Sequence, residues 1–198
     1  YKWRTPFQSN MAQYDEQLLS LSGDDGDDKG HYIYGTRDVW YVDTITSKTQ
    51  IAIFHTSSRN DAYEAAGENG GIGGRSLLKM DSISLYNIHD YQLLKDSAYP
   101  QLRVHFVYDY SLCRGIPNNS SSGSGKLTLR ELYFTYGSSF KGKHKGYKFD
   151  YATGTNNPSY SMVDYDRWGI YKENNNVLPN YYFPYSIQNN FTRDNNVS

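Results

Sequence analysis

Four aspartates crowd one short stretch, Ser22-Gly23-Asp24-Asp25-Gly26-Asp27-Asp28-Lys29-Gly30. Asp24, Asp25, Asp27 and Asp28 offer oxygen ligands on a glycine-loosened backbone, the chemistry that Ca2+ takes. Their spacing lacks the regular alternation and the distal Glu of an EF-hand loop. A solvated acidic turn is therefore the stronger reading, and calcium is the one cofactor the sequence suggests. The run Gly70-Gly71-Ile72-Gly73-Gly74-Arg75 has the glycines of a phosphate cradle but not its setting. A cradle follows a strand and opens a helix so that N–H groups converge on the anion, whereas this run leads into strand-like sequence and carries no Walker lysine.

The remaining reactive side chains are dispersed. His31, His55, His89, His105 and His144 form no metal-ligand spacing, and no Ser/His/Asp set or nucleophile elbow can be picked out. Cys113 is a lone thiol without an obvious base, better read as a half-buried residue after a strand. Lys141-Gly142-Lys143-His144-Lys145 makes a basic tip flanked by Tyr133, Tyr136, Phe140 and Tyr147. Bases interleaved with aromatics suit a nucleic-acid strand, but the chain as a whole carries 20 Lys and Arg against 21 Asp and Glu. With no attracting field and a single small cluster, nucleic acid is excluded as the expected partner.

Aromatic residues carry a different chemistry. There are 21 tyrosines among 198 residues. Tyr and Trp rings stack on pyranose faces while neighbouring amides bond hydroxyls. In the polar tail, Tyr165, Trp168 and Tyr171 are the candidates for such a ligand-binding face. The competing expectation is that Trp168 packs onto the sheet, with Gly169 letting the chain turn beside it.

The elements that must position these residues read as strands. Hydrophobic residues make up 37% even with Tyr counted, and helix formers are scarce. The pattern predicts strands at His31–Tyr34, Val39–Ile45, Thr49–His55, Leu77–Tyr86, Leu102–Tyr110, Lys126–Tyr136 and Gly146–Tyr151. Thr46-Ser47-Lys48 is short enough for a hairpin. One thin helix is predicted over Gln13–Leu21. Ser22–Gly30, Arg59–Gly74 and Pro117–Gly125 read as exposed polar loops open to protease. Residues 1 to 30 form an N-terminal extension with the acidic loop, 31 to 155 the β-sheet region, and 156 to 198 an irregular Asn/Tyr-rich segment continuing into the parent protein. The chain opens at Tyr1 without Met and ends in a polar run, so a segment of a longer protein is expected. No apolar run approaches the ~20 residues of a membrane-spanning helix.

Several phrases carry a resemblance. Leu127-Thr128-Leu129-Arg130-Glu131-Leu132-Tyr133-Phe134-Thr135-Tyr136-Gly137, Asp164-Tyr165-Asp166-Arg167-Trp168-Gly169-Ile170-Tyr171-Lys172, Glu68-Asn69-Gly70-Gly71-Ile72-Gly73-Gly74 and Val107-Tyr108-Asp109-Tyr110-Ser111-Leu112-Cys113 together resemble a β-rich region of very large surface or secreted proteins from bacteria with type IX secretion. The resemblance covers roughly residues 31 to 172. More distantly, the strand–Tyr–Gly and Asp-x-Trp-Gly-x-Tyr phrases look like the sheets of Rhs/YD-repeat and toxin-complex B proteins, which wind into hollow shells around a toxic domain. The chain departs from those families in lacking dense Tyr-Asp repeats and the aspartyl self-cleavage core. No catalytic residue is carried over.

The expectation is thus an all-β, mostly antiparallel sheet, open or part of a larger β shell, with long polar loops. The resemblance implies a secreted or cell-surface location and a non-catalytic role as scaffold or shell wall. The partner would be the remainder of the parent chain. The alternative is a carbohydrate-binding or adhesin module that meets a glycan or cell-surface protein through exposed Tyr and Trp.

Overall fold

The β4–β5 hairpin dominates the molecule, two strands of 18 residues each, Gln50–Gly67 and Gly70–Asn87. The computed structural model describes residues 1–4, 33–121, 123–152, 157–160 and 171. The helix expected over Gln13–Leu21, the acidic loop with Asp24, Asp25, Asp27 and Asp28, and the residues Tyr165, Trp168 and Gly169 lie outside them. The chain divides into two units, one of Tyr1–Trp3 with Thr36–Tyr160, the other of Arg4–Gly35 with Ser161–Ser198.

In chain order, β1 (Lys2–Arg4) and β2 (Tyr34–Thr36) pair as a two-stranded sheet. β3 (Thr44–Thr46), β4, β5, β6 (Leu102–Leu112), β7 (Lys126–Thr135) and β8 (Tyr147–Lys148) form a six-stranded sheet in that same order. Each strand lies antiparallel beside its sequence neighbour, so the sheet is a meander built from successive hairpins. It is all-β and antiparallel, and it is not closed into a barrel. Among the described residues, helix is confined to α1 (Ile88–Leu94) and the 3-10 turns Lys95–Ser97 and Lys141–Lys145. No helix among them is long and apolar enough to cross a membrane.

Strand registers fix two faces. Phe54, Ile83, Val104 and Phe134 stand in one cross-strand row, and Ala52, Leu85 and Leu102 in the row two residues along. Phe106, Leu132 and Tyr147 continue the same face. The opposite face carries Ile53, Ser84, Arg103 and Thr135 in one row and His55, Ser82, His105 and Tyr133 in the next. One face is therefore apolar and the other polar, the alternation of a sheet meant to be covered on one side. Yet the rows of the apolar face are only half-buried. The buried apolar side chains among the described residues are Ala62, Tyr86 and Ala98.

The largest departure from the sequence pattern is the stretch expected as an exposed loop, Arg59–Gly74. It is strand throughout except for the turn at Glu68-Asn69, and Asp61, Ala62 and Glu64 are buried. Bulges between His55 and Thr56, Ser58 and Tyr63, and Tyr63 and Ala65 break the period of two, which hides the strand in the sequence. Gly67 pairs with Gly70 across the turn, and Gly70 and Gly71 take φ of 87° and 78°, which only glycine adopts freely. Gly73 has a packing role instead. A Cβ there would lie 2.5 Å from Glu64 Cγ, so the bare backbone is what lets Glu64 fold down onto β5.

Other boundaries also move. The strand expected at Val39–Ile45 is unpaired until Thr44, and Trp40 is 90% exposed. Aromatic and β-branched content signals a surface that can pack, but the stretch meets β4 and β5 through isolated ties rather than a ladder, the Phe54 N–H donating to the Asp43 carbonyl at 2.8 Å and the Leu78 N–H to the Tyr41 hydroxyl. Of the strand expected at His31–Tyr34, His31 and Tyr32 lie outside the described residues and strand is formed at Tyr34–Thr36, while the one expected at Gly146–Tyr151 shrinks to Tyr147–Lys148. Pro117–Gly125 is a loop as expected but is tied down, with Asn119 buried. Tyr63 N–H donates to the Asn118 carbonyl and Ser120 N–H to the Asn60 carbonyl, at 3.2 and 2.8 Å. Helix α1 had no sequence expectation. Its start is set by Asn87, whose side chain accepts from the N–H groups of His89 and Asp90.

Candidate functional site

Three carboxylates in the described part are each held by an arginine. Asp61 accepts from Arg59 Nε and Nη2 at 2.9 and 2.8 Å and from the Leu127 N–H at 2.8 Å. Burial alone would raise its carboxyl, but the Arg59 and Leu127 hydrogen bonds outweigh it and hold the group below the ordinary aspartate value. Glu64 accepts from the Lys2 N–H and from Arg75 Nε, and Lys2, with Arg75, lowers it against burial. Asp109 takes Arg130 Nε at 2.7 Å and the Ser111 hydroxyl, which likewise overcome burial. These acids join strands.

A polar seam crosses the other face. Ser84 is fully buried and its Oγ accepts from Arg103 Nε at 2.6 Å, while His55 Nε2 stands 3.0 Å away. Arg103 also donates to the Tyr86 hydroxyl. In the row next to Ser84 and Arg103, His105 stacks on Tyr133 with ring centres 4.5 Å apart and meets the Thr135 hydroxyl at 2.9 Å. Burial, then the Arg103 charge, pushes both imidazoles below their usual pKa. The structure thus sets His55 and His105 in one cross-strand row with Ser82 between them, where the sequence could only place them in or beside strands.

An open concavity among the described residues lies elsewhere, beside the extended 37–43 segment. It is a cleft of about 320 Å³ lined by Tyr1, Arg37, Asp38, Trp40, Tyr41 and Arg75, with Val39, Ser76 and Leu77. Its walls are fixed. The Tyr1 hydroxyl reaches the Ala62 and Tyr63 carbonyls at 3.1 Å, and the Arg37 guanidinium sits 5.1 Å from the Tyr1 ring centre. Burial, opposed by Arg37 and aided by Glu64, raises the Tyr1 phenol. The Tyr41 hydroxyl accepts from the Leu78 N–H at 3.0 Å. Arg75 reaches back to Glu64 at 3.3 Å.

Of the residues singled out in the sequence for sugar stacking, Tyr171 is described and is 50% exposed, while Tyr165 and Trp168 are outside the described residues. The basic tip is an exposed 3-10 turn with Lys143 Nζ 5.9 Å from the Tyr133 ring centre. Cys113 is half-buried, at φ 50°. Among the described residues no group of three His, Cys, Asp or Glu could hold a metal. The cleft escaped sequence reading because Trp40 was assigned to a strand. The usable signal was Arg37-Asp38 followed at once by Val39-Trp40-Tyr41, a charged pair beside an aromatic pair. Compared with known proteins, the chain matches no family model, no curated sequence and no solved structure.

Proposed function

We propose that this chain is a non-catalytic structural segment, a scaffold or shell wall, of a large secreted or cell-surface bacterial protein. The observation that carries the reading is the apolar face of the six-stranded sheet, where Phe54, Ile83, Val104, Phe106, Leu132 and Phe134 are only half-buried. A sheet with one apolar face is stable when that face is packed against a second layer. Wall segments of a larger β structure meet this need through neighbouring parts of the same parent chain. The use of Asp61, Glu64 and Asp109 as strand ties, and the resemblance to β-rich regions of type IX-secreted and Rhs-like proteins, support the same role.

The test is dye binding by an environment-sensitive naphthalene sulfonate. The isolated chain is expected to bind the dye on its apolar face, and the longer parent protein to bind much less per copy. A folded isolated chain that binds no dye would remove the reason for a covering layer.

A further inference from the structure

We propose that the cleft between Tyr1 and Trp40 is a binding site for a neutral oligosaccharide, with the Trp40 indole as its stacking platform. The proposal does not rest on the scaffold role, since a wall segment can carry such a site or lack it. Four features meet here. Trp40 is 90% exposed, so a large apolar ring face is left in water, flanked by the exposed Val39 and Val42. Its neighbours Tyr1 and Tyr41 are anchored by their own hydroxyls to β4 and β5 backbone, so the cleft is formed before any ligand arrives. Asp38 and Arg37 place planar, bidentate hydrogen-bonding groups on its wall. The cleft's volume of about 320 Å³ is at the small end of small-molecule sites.

Charge decides the ligand class. Arg75 is paired with Glu64, and Arg37 is placed over the Tyr1 ring beside Asp38, so the wall offers hydrogen bonds without a strong net field. Arg37 and Arg75 are balanced by Asp38 and Glu64, so a phosphate or acidic sugar would meet a wall with no excess positive charge. A wholly apolar ligand would strand Asp38 and Arg37 without partners. A pyranose has an apolar C–H face for the indole and a rim of hydroxyls for the carboxylate and guanidinium, so it satisfies both.

The experiment is titration of the 198-residue chain with neutral hexasaccharides of β-1,4-glucan, β-1,3-glucan, α-mannan and chitin, followed by calorimetry and by chemical shifts. An acidic hexuronate oligomer and a proline-rich peptide serve as the other arms. At least one neutral saccharide is expected to bind at millimolar concentration or below, with shifts at Trp40 and Asp38. Trp40→Ala and Asp38→Ala are expected to weaken it at least about tenfold, and Trp40→Phe to retain part of it. Melting of Trp40→Ala should be unchanged, because the ring is already exposed. The proposal is overturned by absence of binding to all four saccharides, by saccharide binding that survives Trp40→Ala, or by binding of only the acidic oligomer or the peptide.

Discussion

The Asp61 carboxylate accepts the backbone N–H of Leu127 at 2.8 Å across a separation of 66 residues, tying the middle of β4 to the start of β7. The same carboxylate holds Arg59 in a two-toothed pair. Removing it leaves a partly buried N–H and a partly buried guanidinium without their acceptor. Asp61→Ala is expected to cost about 2–4 kcal/mol, measured by urea unfolding, with Asp61→Asn costing less. Because the folded-state carboxyl lies below its unfolded value, its contribution is present above the ordinary aspartate range and is lost as pH falls through that range. Asp61→Asn should therefore flatten the acid limb of the stability curve. An acid limb identical in the two proteins would remove Asp61 as the tie.

The polar seam titrates closer to neutrality. His55 and His105 lie below their unfolded value because of burial and then Arg103, with Lys143 adding to His105 and Asp43 and Asp81 opposing at His55. In this case the unfolded chain takes up protons more readily than the folded one. Stability is full above about pH 6.5 and declines as pH falls through that value toward the folded pKa. The double substitution His55→Gln, His105→Gln should remove most of this decline. A wild-type protein equally stable on both sides of that range would show the imidazoles to be uncoupled from the fold.

Gly73 and Gly74 make a matched pair. A Cβ on Gly73 would press on Glu64 Cγ, while one on Gly74 meets nothing within 4 Å. Gly73→Ala is expected to destabilise by about 1–3 kcal/mol and to loosen Glu64 from the Lys2 N–H. Gly74→Ala should be close to neutral in the same thermal unfolding assay. Equal effects at the two positions would show that the close approach of Glu64 to β5 is unimportant.

How far the sequence discloses this fold depends on how regularly each strand alternates. β6 and β7 run almost as expected from Leu102 and Lys126, since Val104, Phe106, Leu132 and Phe134 keep a period of two along most of their length. Thr46-Ser47-Lys48 marks the β3–β4 turn. The distal half of β4 and the start of β5 were invisible for two physical reasons. Three bulges shift the period, and the buried positions are filled by Asp61, paired with Arg59 two residues before it, and by Glu64, paired with Arg75 from the facing strand, which a linear pattern does not place beside it. The cleft was hidden likewise, because Tyr1, Trp40 and Arg75 are far apart in sequence and meet only through the hairpin.

Hydrogen exchange separates the two descriptions of residues 59 to 74. The Tyr63 amide, bonded to the Asn118 carbonyl, and the amides in the β4–β5 pairing near Ala65 and Ile72 should be protected, with fast exchange confined to the Glu68-Asn69 tip. Uniform fast exchange over Arg59–Gly74 would restore the exposed loop.

The scaffold account turns on whether the apolar face of the sheet is open in the chain alone and covered in its parent. Val104→Cys, made in a Cys113→Ser background, places a thiol in the middle of the Phe54–Ile83–Val104–Phe134 row. Its rate of maleimide labelling is the most direct measurement. Labelling is expected to be fast in the isolated, folded chain and at least about a hundredfold slower in the parent protein, where a covered site reacts only through local opening. Equal rates in the two proteins would contradict the account.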